Sequence, residues 1–274
     1  MHSMIIVMLF MGTALAAPVS CAAADPDVEA IVRNSNHAAL YQGSDARGQL
    51  GLTITDSQGR VRKREMTMLR RDEGEDGGQR YYVYFLEPAD VRKMVFMVHK
   101  HVASGQEDDR WLYMPSLDLV KRIAAGDKRT SFVGSDYLYE DISGRAVTED
   151  IHELIGETDT EYILDNTPKI PESVEFSHYH AHVDKKTFLP MRLRFFREGD
   201  RVFRTIDVTR VENVQAEENG RPVVYPTVVE SVARNLESGS STVMSFSRIG
   251  YNLGLDADLF TERYLRRPPR EATR

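Results

Sequence analysis

His178, His180 and His182 are the residues in this sequence whose type and spacing most resemble a metal site. Side chains alternate along a strand, so all three rings would share one face. Adjacent pairs can share an ion, but the outer two Cα atoms stand roughly 13 Å apart at ~3.3 Å per residue, too far for one ion to collect all three. His99 and His101 repeat the spacing on a second run. We therefore expect no resident metal, with the trio as the one metal candidate. Gly134-Ser135-Asp136 invites a hydrolase reading, yet its serine and aspartate are adjacent and cannot be matched from sequence to an orienting histidine. Their ordinary role is a turn and helix cap, with side-chain oxygens taking up free N–H groups of residues 137–142. No nucleophile-elbow, phosphate-loop, dinucleotide or H-E-x-x-H string occurs. The expectation is a protein with no catalytic residues and no cofactor, not an enzyme; a metal-dependent hydrolase ranks third among its functional readings.

The elements that must hold these residues begin after an apolar leader. Met4 to Ala17 is shorter than the ~20 residues a spanning helix needs. Ala22 and Ala24 precede Asp25, the first charged side chain, in the small-x-small pattern of a secretory cleavage site. Residues 1–24 are read as a signal peptide for export. Cys21, the only cysteine, would leave with it; lipid anchoring at Cys21 is the lesser alternative, because Pro18 stands where such sites usually carry leucine. Residues 25–266 then form one domain, and 267–274 read as a disordered tail. The net charge of −7 argues against nucleic acid as a partner.

Pro26 to Tyr41 carries Val28, Ile31 and Val32 at helical spacing, with Asp25 as its cap. From Gln49 the period changes to two, and strand-like runs follow one another across short polar joins, which favour antiparallel neighbours. This is a mainly β, α+β chain: a large antiparallel sheet, a helix at its start, and short helical pieces near Pro88 to Met94 and Asp136 to Ser143. Its apolar face must be covered. Met66, Met68, Tyr82, Tyr84, Met97, Trp111, Tyr113, Leu193, Phe195 and Phe246 form the candidate lining, soft and aromatic enough for an adjustable greasy cavity. Glu140 and Asp141, near Lys121, Arg122, Lys128 and Arg129, are read as a charged rim able to dock a partner.

RWLYMPSLDLVKRI at 110–123 and SFVGSDYLYEDI at 131–142 resemble the outer-membrane lipoprotein-sorting family related to LolA. Within them Gly134, Ser135, Asp136, Glu140 and Asp141 mark the resemblance. YFLEPADVRKMVF at 84–96, DKKTFLPMRLRFF at 184–196 and FSRIGYNLGLDADLFTERYLRR at 246–267 match it in order. The resemblance implies an incomplete antiparallel β-barrel of about ten to twelve strands, wrapped around the N-terminal helix and short helical segments. It also implies a periplasmic, monomeric carrier that shields a lipid or lipoprotein acyl chains in its cavity. Such a carrier would pass its cargo between an RND- or MMPL-type inner-membrane transporter and an outer-membrane acceptor. The alternative is an envelope lipid sensor or adaptor that regulates a partner.

Overall fold

The computed structural model describes residues 27–74, 77–102 and 106–273. The signal-peptide and Cys21 readings fall outside these residues, as does the expected cap Asp25. Helix α1 runs Val28–Leu40 and is capped by Asp27, whose carboxylate accepts the Glu29 N–H at 3.1 Å. Ile31 and Val32 are its buried side.

Six strands follow, β1 (Asp45–Thr55), β2 (Val61–Glu73), β3 (Gly78–Glu87), β4 (Val95–Lys100), β5 (Asp109–Met114) and β6 (Leu119–Ile123). After helix α2 (Tyr139–Ser143) come β7 (Asp150–Glu157), β8 (Glu161–Pro168), β9 (His178–Asp184), β10 (Pro190–Arg197), β11 (Arg201–Glu218), β12 (Arg221–Asn235) and β13 (Ser240–Tyr251). All belong to one 13-stranded antiparallel sheet, ordered β6-β5-β4-β3-β2-β1-β13-β12-β11-β10-β9-β8-β7. Two meanders therefore meet where β1 pairs with β13 in the middle, with Leu50 opposite Phe246. The edges are β6 and β7, so the sheet is an open half-barrel. Because these edges are consecutive in sequence, residues 124–149 have to cross from one rim to the other, and they do so over the inner face.

Strand β7 was not expected from sequence, because its pattern is inverted. Ile151 and Ile155 are exposed while Asp150 is buried, held by Arg145 at 2.9 Å and by the Tyr179 hydroxyl at 3.1 Å. Pro88 to Met94 forms a turn, and α2 is shorter than the Asp136 to Ser143 piece expected.

Both faces of β3 to β5 are covered. Tyr81, Val83, Phe85, Phe96, Val98 and Leu112 pack inward with Met66 and the crossing segment. Tyr82, Tyr84, Val95 and Met97 pack outward beneath Leu255, Leu259, Phe260 and Leu265. That outer cover comes from the chain after β13, which includes α3 (Arg263–Arg266) and α4 (Arg270–Thr273). Residues 267–273 are thus no disordered tail: α4 packs on β2 and β3, and Ala272 is fully buried.

Candidate functional site

Between the inner face of the sheet, α1 and the crossing segment lies a cavity of about 450 Å³. Met68, Leu193, Phe195, Ile206, Phe246 and Ile249 form much of its sheet wall. Helix α1 reaches from β7 to β12 across the open side and contributes Val32, Ser35 and Ala39. Tyr137, Ile142 and Ala146 close it from the crossing segment. Among the described residues, its charged lining residues are Arg47 of β1, Arg70 of β2, and Arg129, Glu140, Asp141 and Arg145 of the crossing segment, and the Arg47 guanidinium is turned to the Glu271 carbonyl at 2.7 Å.

The C-terminal end of α1 is fastened to the sheet. A helix ends with carbonyls that have no intrahelical partner, and buried Arg70 donates to the carbonyls of Leu40, Gln42 and Gly43. Gln42 Nε2 donates to the carbonyls of Ala38 at 2.6 Å and Pro226 at 2.7 Å, and Gln79 Nε2 reaches Leu40 O at 2.8 Å. Gly43 takes the turn at φ +65°, where a Cβ would come within 2.9 Å of Asn252 Oδ1. The other half of α1 is held by Ile31 and Val32 against Leu164, Ala181 and Val183.

The crossing segment is seated by aromatic packing and by buried charge. Phe132 lies 5.9 Å from Phe85 and 5.5 Å from Phe96, and meets Tyr139 edge-on at 5.4 Å. Glu140 is 2% exposed and is surrounded by Arg129 at 2.5 Å, Lys128 at 3.4 Å and Arg145 at 3.5 Å. Burial alone would raise its carboxyl pKa, but these three cations outweigh burial and hold it below the usual carboxylate value. Lys100, also buried, donates to the carbonyls of Ser143 at 2.7 Å and Gly144 at 3.2 Å. Burial lowers its ammonium pKa to about 8.

The expected rim is therefore two different things. Ser135 Oγ donates to Phe132 O at 2.7 Å and accepts the Tyr137 N–H, so it closes a turn as foreseen. The Asp136 carboxylate accepts from Ser240 and Thr242 of β13, with Gly134 taking the preceding turn at φ +80°. Asp141 accepts the Leu138 N–H at 2.7 Å and pairs with Arg204. Glu140 and Asp141 are internal struts, not a docking surface, because desolvated cations surround them. Lys121 and Arg122 stand apart on edge strand β6, where Arg122 pairs with Asp109.

Of the ten lining candidates, Met68, Leu193, Phe195 and Phe246 do line the cavity. Met66 points inward but is sealed in the adjoining core. Tyr82, Tyr84, Met97, Trp111 and Tyr113 belong to the opposite face, beneath the C-terminal chain. The Tyr82 hydroxyl donates to Tyr264 O at 2.7 Å, Trp111 meets His99 edge-on at 4.7 Å, and Arg266 lies over the Tyr113 ring at 5.7 Å. Replacing Trp111 and Tyr113 together with alanine is therefore expected to cost about 2 kcal/mol in stability and to leave uptake of an acyl probe unchanged. Chemical denaturation beside probe titration checks both. The sequence places Arg129 in the charged rim but gives no sign of Arg145 or of the lining side of α1, for which the only signal is the small residues Ser35 and Ala39 beside Val32.

The histidines point away from the cavity. His178 and His180 converge with Asp165 of β8, whereas His182 turns to Glu161 at 3.3 Å.

A family model described as an uncharacterized protein matches residues 77–267. Among solved structures, the chain is similar to a DUF1329 family protein from Desulfovibrio piger, with 28% identity, a TM-score of 0.76, and coverage of 87% of this chain and 98% of that one. A protein domain assigned to outer membrane lipoprotein sorting, from Vibrio parahaemolyticus, shares the fold at 21% identity, a TM-score of 0.75, and coverage of 87% and 97%. A LolA superfamily protein from Nitrosomonas europaea does so at 18% identity, a TM-score of 0.64, and coverage of 86% and 98%. No curated protein matches the chain. Among the described residues no helix is long and apolar enough to cross a membrane.

Proposed function

We propose that this chain, which belongs to the family whose model covers residues 77–267 and has a LolA-like fold, is a periplasmic carrier that shields lipid or lipoprotein acyl chains between membranes. The observation that carries this reading is the cavity of about 450 Å³ with its mostly apolar wall, a size within the ~300–1,000 Å³ of small-molecule sites. Each methylene removed from water there is worth about 0.8 kcal/mol, so a chain of a few carbons already supplies useful affinity without any directional contact. The Vibrio parahaemolyticus neighbour, assigned to lipoprotein sorting, supports the same direction. The protein holds its cargo and performs no chemistry on it.

Entry runs past α1. One end of that helix is fastened by Arg70, Gln42 and Gln79, while the other is held, among the described residues, by the apolar contacts of Ile31 and Val32. Lifting the apolar end exposes the cavity without breaking the carbonyl clasp. An RND- or MMPL-type transporter of the inner membrane and an acceptor at the outer membrane are the partners that the motif segments suggest, with the protein acting as a monomer. Transfer of a fluorescent acyl lipid between donor and acceptor vesicles tests the proposal: the protein should accelerate transfer in proportion to its concentration. Transfer at the spontaneous rate would refute it.

A further inference from the structure

We propose a second site, independent of the cavity: Asp165, His178 and His180 on the outer face of β8 and β9 bind one divalent first-row transition-metal ion, with zinc as the reference case. This is the one group among the described residues in which three metal-ligating side chains converge, their donor atoms all lying within 4.8 Å of one another. Strand register creates it. Asp165 pairs directly with His180, and His178 lies two residues along on the same face.

The donor geometry is close to what an ion requires. Two ligand atoms each ~2.1 Å from a tetrahedral ion lie roughly 3.4 Å apart. His180 Nε2 stands 3.3 Å from Asp165 Oδ1, and His178 Nε2 stands 3.9 Å from it. Asp165 Oδ1 is itself buried and has no hydrogen-bond partner, the condition in which a buried polar atom is expected to have one.

The surroundings hold the rings ready. Ser177 Oγ donates to Phe196 O at 3.1 Å, so its lone pairs accept Nδ1–H of His178, also at 3.1 Å. That tautomer leaves the His178 lone pair on Nε2, toward Asp165. An outer hydrogen bond of this kind is the usual support of a ligating histidine. Phe196 stacks on the His178 ring at 4.5 Å with 4° between planes and contacts His180 at the same distance, which limits both rotations. Two imidazoles and one carboxylate with open positions suit zinc, cobalt, nickel or copper better than magnesium or calcium. Glu153 of β7, exposed and registered beside Asp165, adds negative charge to the same row.

Titration of the untagged full chain with zinc, followed by calorimetry and by the visible spectrum of a cobalt-loaded sample, tests the site. One ion per chain is expected. His178→Ala, His180→Ala and Asp165→Asn should each weaken binding at least as much as the 10- to 100-fold that loss of an outer partner causes. His182→Ala should not. These side chains lie near the surface, and circular dichroism verifies that each variant is folded. Unchanged zinc affinity in the folded His178→Ala/His180→Ala double variant would overturn the proposal, as would absence of stoichiometric binding by the wild type. An equal loss in His182→Ala would replace it with diffuse, adventitious binding by surface histidines.

Discussion

Replacing Gly48 with tryptophan is expected to abolish acyl binding while leaving the half-barrel folded. Gly48 is buried on β1 and lines the cavity, and a Cβ there meets Ile249 Cγ1 and Phe246 Cδ1 at 3.5 Å, ordinary contact distances. A side chain can therefore start from this position without moving the backbone, and an indole will occupy the space beside Met68, its partner across β2. If the ring displaces about four methylenes of cargo, the loss is about 3 kcal/mol, on the order of a hundredfold in affinity. Gly48→Ala adds only a methyl and should bind nearly as well as the wild type. Titration with a fluorescent fatty acid separates the two. Equal affinity in the tryptophan variant would show that cargo does not occupy this cavity.

The second large effect is on stability. Glu140→Gln removes the one anion shared by Arg129, Arg145 and Lys128 in a desolvated site. Breaking a buried ion pair from one side costs about 3–5 kcal/mol. We expect the lower end, about 3 kcal/mol, since Arg129 keeps Glu175 at 2.6 Å and Arg145 keeps Asp150 at 2.9 Å. That corresponds to a fall of roughly 6–12 °C in Tm for a chain of this size. The pH dependence follows from the lowered Glu140 pKa. A carboxyl whose pKa is lower when folded contributes stability that is complete above its unfolded value and is lost as pH falls through the folded one. The gap between wild type and variant should accordingly be widest near neutral pH and narrow below the ordinary glutamate value of 4.5. Thermal unfolding followed by circular dichroism across that range checks both size and sign.

How far the sequence foretold the molecule differs by element. Period-two runs such as Met191 to Phe195 announce strands, as in β10, and short polar joins announce antiparallel neighbours, which holds for every consecutive pair joined by a short turn. Parity is another matter. Tyr81 to Phe85 are five consecutive apolar residues, all buried, because the crossing segment covers one side of β3 and the C-terminal chain covers the other. No alternation is left to say which side faces the cavity, and Tyr82, Tyr84, Met97, Trp111 and Tyr113 were assigned to the wrong one. Strand β7 failed for the opposite reason, with isoleucines outward and a paired aspartate inward. The role of Glu140 depends on Arg129 and, through it, Glu175, 46 residues further along; separations of that kind carry no local signature. Of the three histidines that the spacing groups together, only His178 and His180 converge, and the carboxylate beside them, Asp165, lies on a neighbouring strand and emerges only from the register.

In the function we propose, the inner cavity carries acyl chains. The most direct test of this is lipid extraction from wild-type protein purified from its native cells, followed by mass spectrometry, with Gly48→Trp treated in parallel. The predicted result is acyl-containing lipid in near-stoichiometric amount from the wild type and little or none from the variant. A wild type that emerges free of lipid, or a variant that carries as much as the wild type, would contradict the account.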